Sequence, residues 1–80
     1  MPGFTKLSIL EAFIEKGDHK ISWLDLAKLY NVIDGTERAT LLGNIIRELE
    51  DERIIERLAL PIAWEIIDIN EAVQERDRLI

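Results

Sequence analysis

Apolar side chains recur along this chain at intervals that change from helical to strand-like and back. Leu7, Leu10, Phe13 and Ile14 fall three and four residues apart, which draws one buried stripe along a helix over about residues 6–16, with Ser8, Glu11 and Glu15 facing water. Thr5 is its expected N-cap, Phe4 and Ile9 occupy the staple positions across that cap, and Gly17 is expected to stop the helix in a left-handed conformation. Ser22 and Asp25 have the spacing of a capping box for a second helix over 23–30 that buries Leu26, Leu29 and one of Trp23 or Tyr30. Ile21 makes a short extended step before it, and Asn31 is suited to a left-handed residue after it. A third helix over about 36–52 is drawn by Ala39, Leu42, Ile46 and Leu49, with Asp34 and Thr36 as rival N-caps.

Beyond Glu52 the period changes. Residues 53–58 and 62–67 are β-rich runs around Ala59-Leu60-Pro61, which predicts a two-stranded hairpin over about 53–67. Pro61 is tolerated at a turn or strand start because its missing donor is not needed there. Asp68 and Glu71 then form another capping box, opening a last helix over about 69–78. Ile69, Ala72, Val73, Arg76 and Leu79 or Ile80 share one side of it. That helix is too short to stand alone, so it either packs back on its own domain or pairs with a second subunit.

Eighty residues form one small domain, read here as spanning residues 1–80, with a single core. An apolar fraction of 48% is that of a globular chain. The absence of cysteine removes disulfides, thiolate metal sites and thiol chemistry. His19 is the single histidine, so a histidine metal cluster is excluded, and it is read as a solvated loop residue. With no glycine-rich phosphate loop either, no catalytic constellation appears; the expectation is a non-enzyme without a cofactor. No apolar run approaches the roughly 18 residues of a membrane span, and the first residues lack the build of a signal peptide. A cytoplasmic protein is therefore expected.

The helix, short strand, helix, helix, hairpin order over residues 5–67, with Leu26-Ala27 in the second helix and Leu49-Glu50-Asp51-Glu52-Arg53-Ile54-Ile55-Glu56-Arg57 leading into the hairpin, resembles winged helix-turn-helix domains. In that family the latter passage often reads Leu-x-x-x-Gly-Leu-Ile-x-Arg; here Arg53 stands at the glycine position. The resemblance implies a mainly α fold with a small β-hairpin: a three-helix core, a two-stranded wing and an added C-terminal helix. It also implies a third helix that enters the major groove of duplex DNA. The expected readers are then Arg38, Thr40, Asn44 and Arg47, because arginine pairs with guanine or phosphate and asparagine with adenine, while Arg57 in the wing touches phosphate. On this reading the protein is a small transcriptional regulator acting as a dimer through its C-terminal helix.

Charge supports a different class. The net charge is −6, with five basic and six acidic side chains in residues 1–40 but five and ten in residues 41–80, the half that holds most of the third helix and the wing. A nucleic-acid binder ordinarily carries a basic footprint, since counterion release supplies much of its affinity. The alternative is an acidic winged-helix module that binds a protein partner, or inhibits one, through Leu41, Ile45 and Leu60. Glu50-Asp51-Glu52 points in successive directions and is a solvated helix end, and Trp23 and Trp64 are packing residues of a small core.

Overall fold

The computed structural model describes residues 4–59 and 62–80; Leu60 and Pro61 lie outside the described residues. Four helices and a small antiparallel sheet alternate along the chain: α1 (Lys6–Glu15), β1 (Lys20–Ser22), α2 (Trp23–Tyr30), α3 (Glu37–Asp51), β2 (Ile55–Leu58), β3 (Ala63–Ile66) and α4 (Ile69–Leu79). The protein is thus mainly helical, with a three-stranded sheet in the order β1-β3-β2.

Side-chain caps start each helix where the sequence places them. Thr5 Oγ1 accepts from the Ser8 amide at 3.1 Å and the Ser8 hydroxyl returns an acceptor to the Thr5 amide at 2.9 Å, a closed box on α1. Ser22 caps α2 through the Asp25 amide, and Thr36, not Asp34, caps α3 through the Ala39 amide. Asp34 accepts instead from the Trp23 indole at 3.1 Å. Asp68 caps α4 through the Asn70 amide, one residue short of the Glu71 position that a full box requires.

Two helices end in the same device. After α2, Val32 donates to the Ala27 carbonyl and Asn31 to the Lys28 carbonyl, with Asn31 at φ 54°. After α3, Ile54 donates to Leu49 and Arg53 to Glu50, with Arg53 at φ 61°. This pair of six-to-one and five-to-two bonds satisfies carbonyls that would otherwise lack partners, and it requires a left-handed residue between helix and exit. Ile54 and Leu49 are both buried, which supplies the apolar contact of the motif. The expectation for Gly17 is corrected: its φ is not left-handed, Lys16 leaves α1 in an extended conformation, and His19 takes φ 55° instead. His19 Nδ1 lies 3.2 Å from the Phe13 carbonyl, which accepts from the Nδ1–H tautomer, so this residue is half-buried rather than solvated.

The expected two-stranded hairpin is joined by a third strand. β1 pairs with β3 in the register Lys20↔Glu65, Ile21↔Trp64 and Ser22↔Ala63, and β2 pairs with β3 from Ile55↔Ile66 to Leu58↔Ala63. The Ile66 amide donates to His19 and the Trp23 amide to Ile62, prolonging the β1–β3 ladder at both ends. Trp64 on the central strand is buried, and so is its neighbour Ala63, which points to the opposite face.

One core holds these elements together. Ile9, Leu10 and Phe13 of α1 meet Leu26 and Tyr30 of α2, Leu42, Ile46 and Leu49 of α3, and Ile21, Ile55 and Trp64 of the sheet. Leu29 departs from its expected burial and is 54% exposed. The eight-residue α2 turns Leu26 and Tyr30 inward, four residues apart, and Leu29 falls outside that narrow stripe. α4 packs back against α1, with Ala72 fully buried. Its inner line continues to Glu75, whose carboxylate takes both contacts from the Arg78 guanidinium, and Ile69 and Leu79 remain partly exposed. Among the described residues no helix is long and apolar enough to cross a membrane.

Candidate functional site

The positions proposed as readers separate into three environments. Arg38, near the start of α3, is turned into the molecule. Its Nη2 donates to the Tyr30 carbonyl at 2.6 Å and its guanidinium lies 5.1 Å from the centre of the Phe4 ring, which itself packs on Tyr30. A guanidinium so held joins the N-terminal segment and the end of α2 to α3, and it is not on offer to a ligand. Thr40 is exposed, with its hydroxyl at 3.5 Å from the Thr36 carbonyl, and Asn44 is exposed one turn further along.

Arg47 and Arg57 are the two that the fold brings together. Arg47 lies on α3 and Arg57 on β2, and both line one cleft of about 360 Å³ with Trp23, Ile46, Ile62 and Trp64. The cleft exists because Arg57 is paired across the sheet with Trp64, so that its guanidinium lies 5.9 Å from the centre of the Trp64 ring. Trp64 in turn donates its indole N–H to Glu50 Oε1 at 2.8 Å, joining β3 to the C-terminal half of α3. Trp23 packs edge-on against Trp64, with ring centres 6.3 Å apart. The sequence pattern predicts packing roles for both tryptophans and a solvated Glu50. The Glu50–Trp64 bond spans fourteen residues and three elements, so no local spacing signals it.

The apolar candidates also separate. Leu41 is 55% exposed on α3, whereas Ile45 is half-buried and packs against the core, which restricts it as a surface contact. Leu60 lies outside the described residues. An apolar hollow with no signal in the local sequence pattern is formed by Ser22, Trp23, Leu24 and Ile62. It arises where the start of α2 at Ser22 meets Ile62, just before the central strand begins.

Among the described residues Lys6 and Asp18 depart from their ordinary behaviour, both away from the cleft. Burial would lower the Lys6 ammonium, but the hydrogen bond to Glu52 and the charges of Glu52, Glu48 and Glu75 outweigh it and hold it above its ordinary value. The Asp18 carboxyl is held below its ordinary value, first by the Lys20 amide and then by Lys16. Among the described residues no group of three or more His, Asp or Glu is arranged to hold a metal ion. No protein-family model, curated protein or solved structure matches the chain.

Proposed function

We propose that this chain is a winged helix-turn-helix module that binds duplex DNA weakly and through few phosphates. In this reading α3 is the helix that enters the groove and the β2–β3 hairpin is the wing. The observation that supports it most is the convergence of Arg47 and Arg57, ten residues apart, on one cleft between helix and hairpin. Asn44 and Thr40 are exposed on the same helix as polar groups able to meet base edges or phosphate. The left-handed backbone at Arg53, where the resembling family carries glycine, is consistent with the same assignment. The reader set is accordingly Thr40, Asn44, Arg47 and Arg57, without Arg38.

Two cations per domain define the strength. Each neutralised phosphate contributes about −0.9 to the slope of log K against log salt, so a monomer should show a slope near −1.8. A dimer through the exposed Ile69, Leu79 and Ile80 of α4 would double it. Fluorescence anisotropy with a mixed-sequence duplex, from low to physiological salt, measures this directly. No binding at tens of micromolar protein in low salt would sink the DNA reading.

Leu41 favours a second reading. A leucine 55% exposed on the outer face of α3, within an acidic chain, suits a protein partner better than a phosphate backbone. A Leu41→Asp variant that folds normally and keeps its duplex affinity, while wild type binds no better than this variant, would leave the leucine without a role in DNA binding. A duplex-inactive wild type would make the protein-binding reading the remaining one.

A further inference from the structure

We infer that Glu50 is a positioning residue: through the Trp64 indole it sets the distance between α3 and the hairpin, and so holds Arg47 and Arg57 as one two-cation site. This rests on the duplex-binding reading of the cleft. A carboxylate among the walls of a cleft meant for phosphate is costly to affinity, and it needs a reason to be there. The geometry supplies one. The indole N–H of the buried Trp64 requires an acceptor, and a carboxylate is the strongest one available to it. Among the described residues no Lys or Arg lies within ion-pair distance of Glu50, so its role is not to neutralise either arginine.

The chain of contacts runs from helix to strand to cation. Glu50 is fixed on α3 one turn after Arg47, its Oε1 holds Trp64 on β3, and Trp64 is both the cross-strand partner of Arg57 and the ring against which that guanidinium lies. Loss of the acceptor frees the indole edge and, with it, the support that keeps Arg57 beside the helix. Loss of the charge alone does neither, because a glutamine oxygen accepts the same hydrogen bond. The two effects of Glu50, support and repulsion, are therefore separable by substitution.

The test uses the full chain as wild type, Glu50→Gln and Glu50→Ala. It reads hydrogen exchange at the Trp64 indole N–H by NMR and binding of a mixed-sequence duplex across salt on the same samples. The indole N–H should be protected in wild type and in Glu50→Gln, and should exchange at least about tenfold faster in Glu50→Ala. Glu50→Gln should bind duplex roughly three- to tenfold more tightly at low salt, as a nearby like charge is removed. Glu50→Ala should bind more weakly than Glu50→Gln, with a salt slope smaller in magnitude by about one as Arg57 drops out. Equal duplex binding and equal slopes for the two variants would overturn the positioning role while leaving DNA binding intact. An indole N–H that stays protected in Glu50→Ala would overturn it as well. If neither wild type nor either variant binds duplex at any salt, the DNA reading fails and the two-cation site fails with it. Glu50→Leu, which keeps the bulk but cannot accept, replaces the alanine variant if that one does not fold.

Discussion

Arg53 is the position where a single substitution should stabilise this protein, and the reason lies wholly in its backbone. The end of α3 needs a left-handed residue so that Ile54 can reach back to Leu49 and Arg53 to Glu50. For any side chain with a Cβ, that conformation costs roughly 1–2 kcal/mol relative to the right-handed regions. Glycine removes the clash but is more flexible when unfolded, which returns about 0.4–1 kcal/mol. The Arg53 side chain is exposed, so little packing is lost. Removing a cation from the C-terminus of α3, beside Glu50, Asp51 and Glu52, subtracts about 0.3 kcal/mol. Arg53→Gly should therefore gain about 0.5 kcal/mol, or roughly 2–4 °C in melting temperature for a domain of this size. Arg53→Ala is the decisive control: it loses the same charge, keeps the clash, and should fall below glycine by about 1 kcal/mol. Urea titrations followed by tryptophan fluorescence and by far-ultraviolet circular dichroism give both values. If alanine matches or exceeds glycine, the left-handed cost does not operate at this residue. Asn31→Gly, at the equivalent end of α2, should gain only a few tenths of a kcal/mol, since asparagine already tolerates the conformation.

Arg38→Ala should cost about 2 kcal/mol, from the charge-assisted bond to the Tyr30 carbonyl and the guanidinium–Phe4 contact. Its duplex affinity when folded should match wild type; an unchanged melting temperature with lost binding would mean that the arginine faces outward. Gly43→Ala should raise stability by about 1 kcal/mol, as α3 gains helix propensity and a Cβ there meets nothing within 4 Å. Because Gly43 also lines the cleft, a concurrent drop in duplex binding would show that a ligand uses that space. Lys6→Ala should weaken the α1–α3 contact by about 1 kcal/mol at neutral pH. The folded value of Lys6 lies above its ordinary 10.5, so this contribution is complete below that value and is lost as pH rises through the folded one. Wild type and variant should converge in alkaline urea titrations. Asp18 titrates below its ordinary 3.8, so its contribution is present above that value and disappears as pH falls through the folded one. Carboxyl chemical shifts followed against pH should place its midpoint below the ordinary 3.8; a midpoint at that value would show that the Lys20 amide does not hold it.

Local pattern alone determined most of the element list, because caps and periodicity are short-range properties. Thr5, Ser22 and Asp68 start helices where their side chains can reach an amide two or three residues on, and the stripe Leu42-Ile46-Leu49 faces the core whatever lies opposite. The same logic placed a left-handed residue at Asn31 and failed at Gly17, since several residues of that turn could absorb the positive φ and His19 does so under the hold of the Phe13 carbonyl. The short extended step at Ile21 was legible but its partner was not, because three residues at Lys20–Ser22 join the sheet only where β3 offers them an unpaired edge. The candidate site was legible as residue types and not as an arrangement. Arg38 and Arg47, nine residues apart on α3, fall on opposite sides of a helical wheel; Arg38 borders the Leu42-Ile46-Leu49 stripe, but the carbonyl and the aromatic ring that hold it come from distant segments. Arg47, away from that stripe, lines the cleft. Side chains on a helix surface are assigned by what packs beside them, and those neighbours come from elsewhere in the chain. For that reason helix starts and buried stripes follow from local pattern, whereas the meeting of Arg47 with Arg57 follows from the packing of the hairpin against α3.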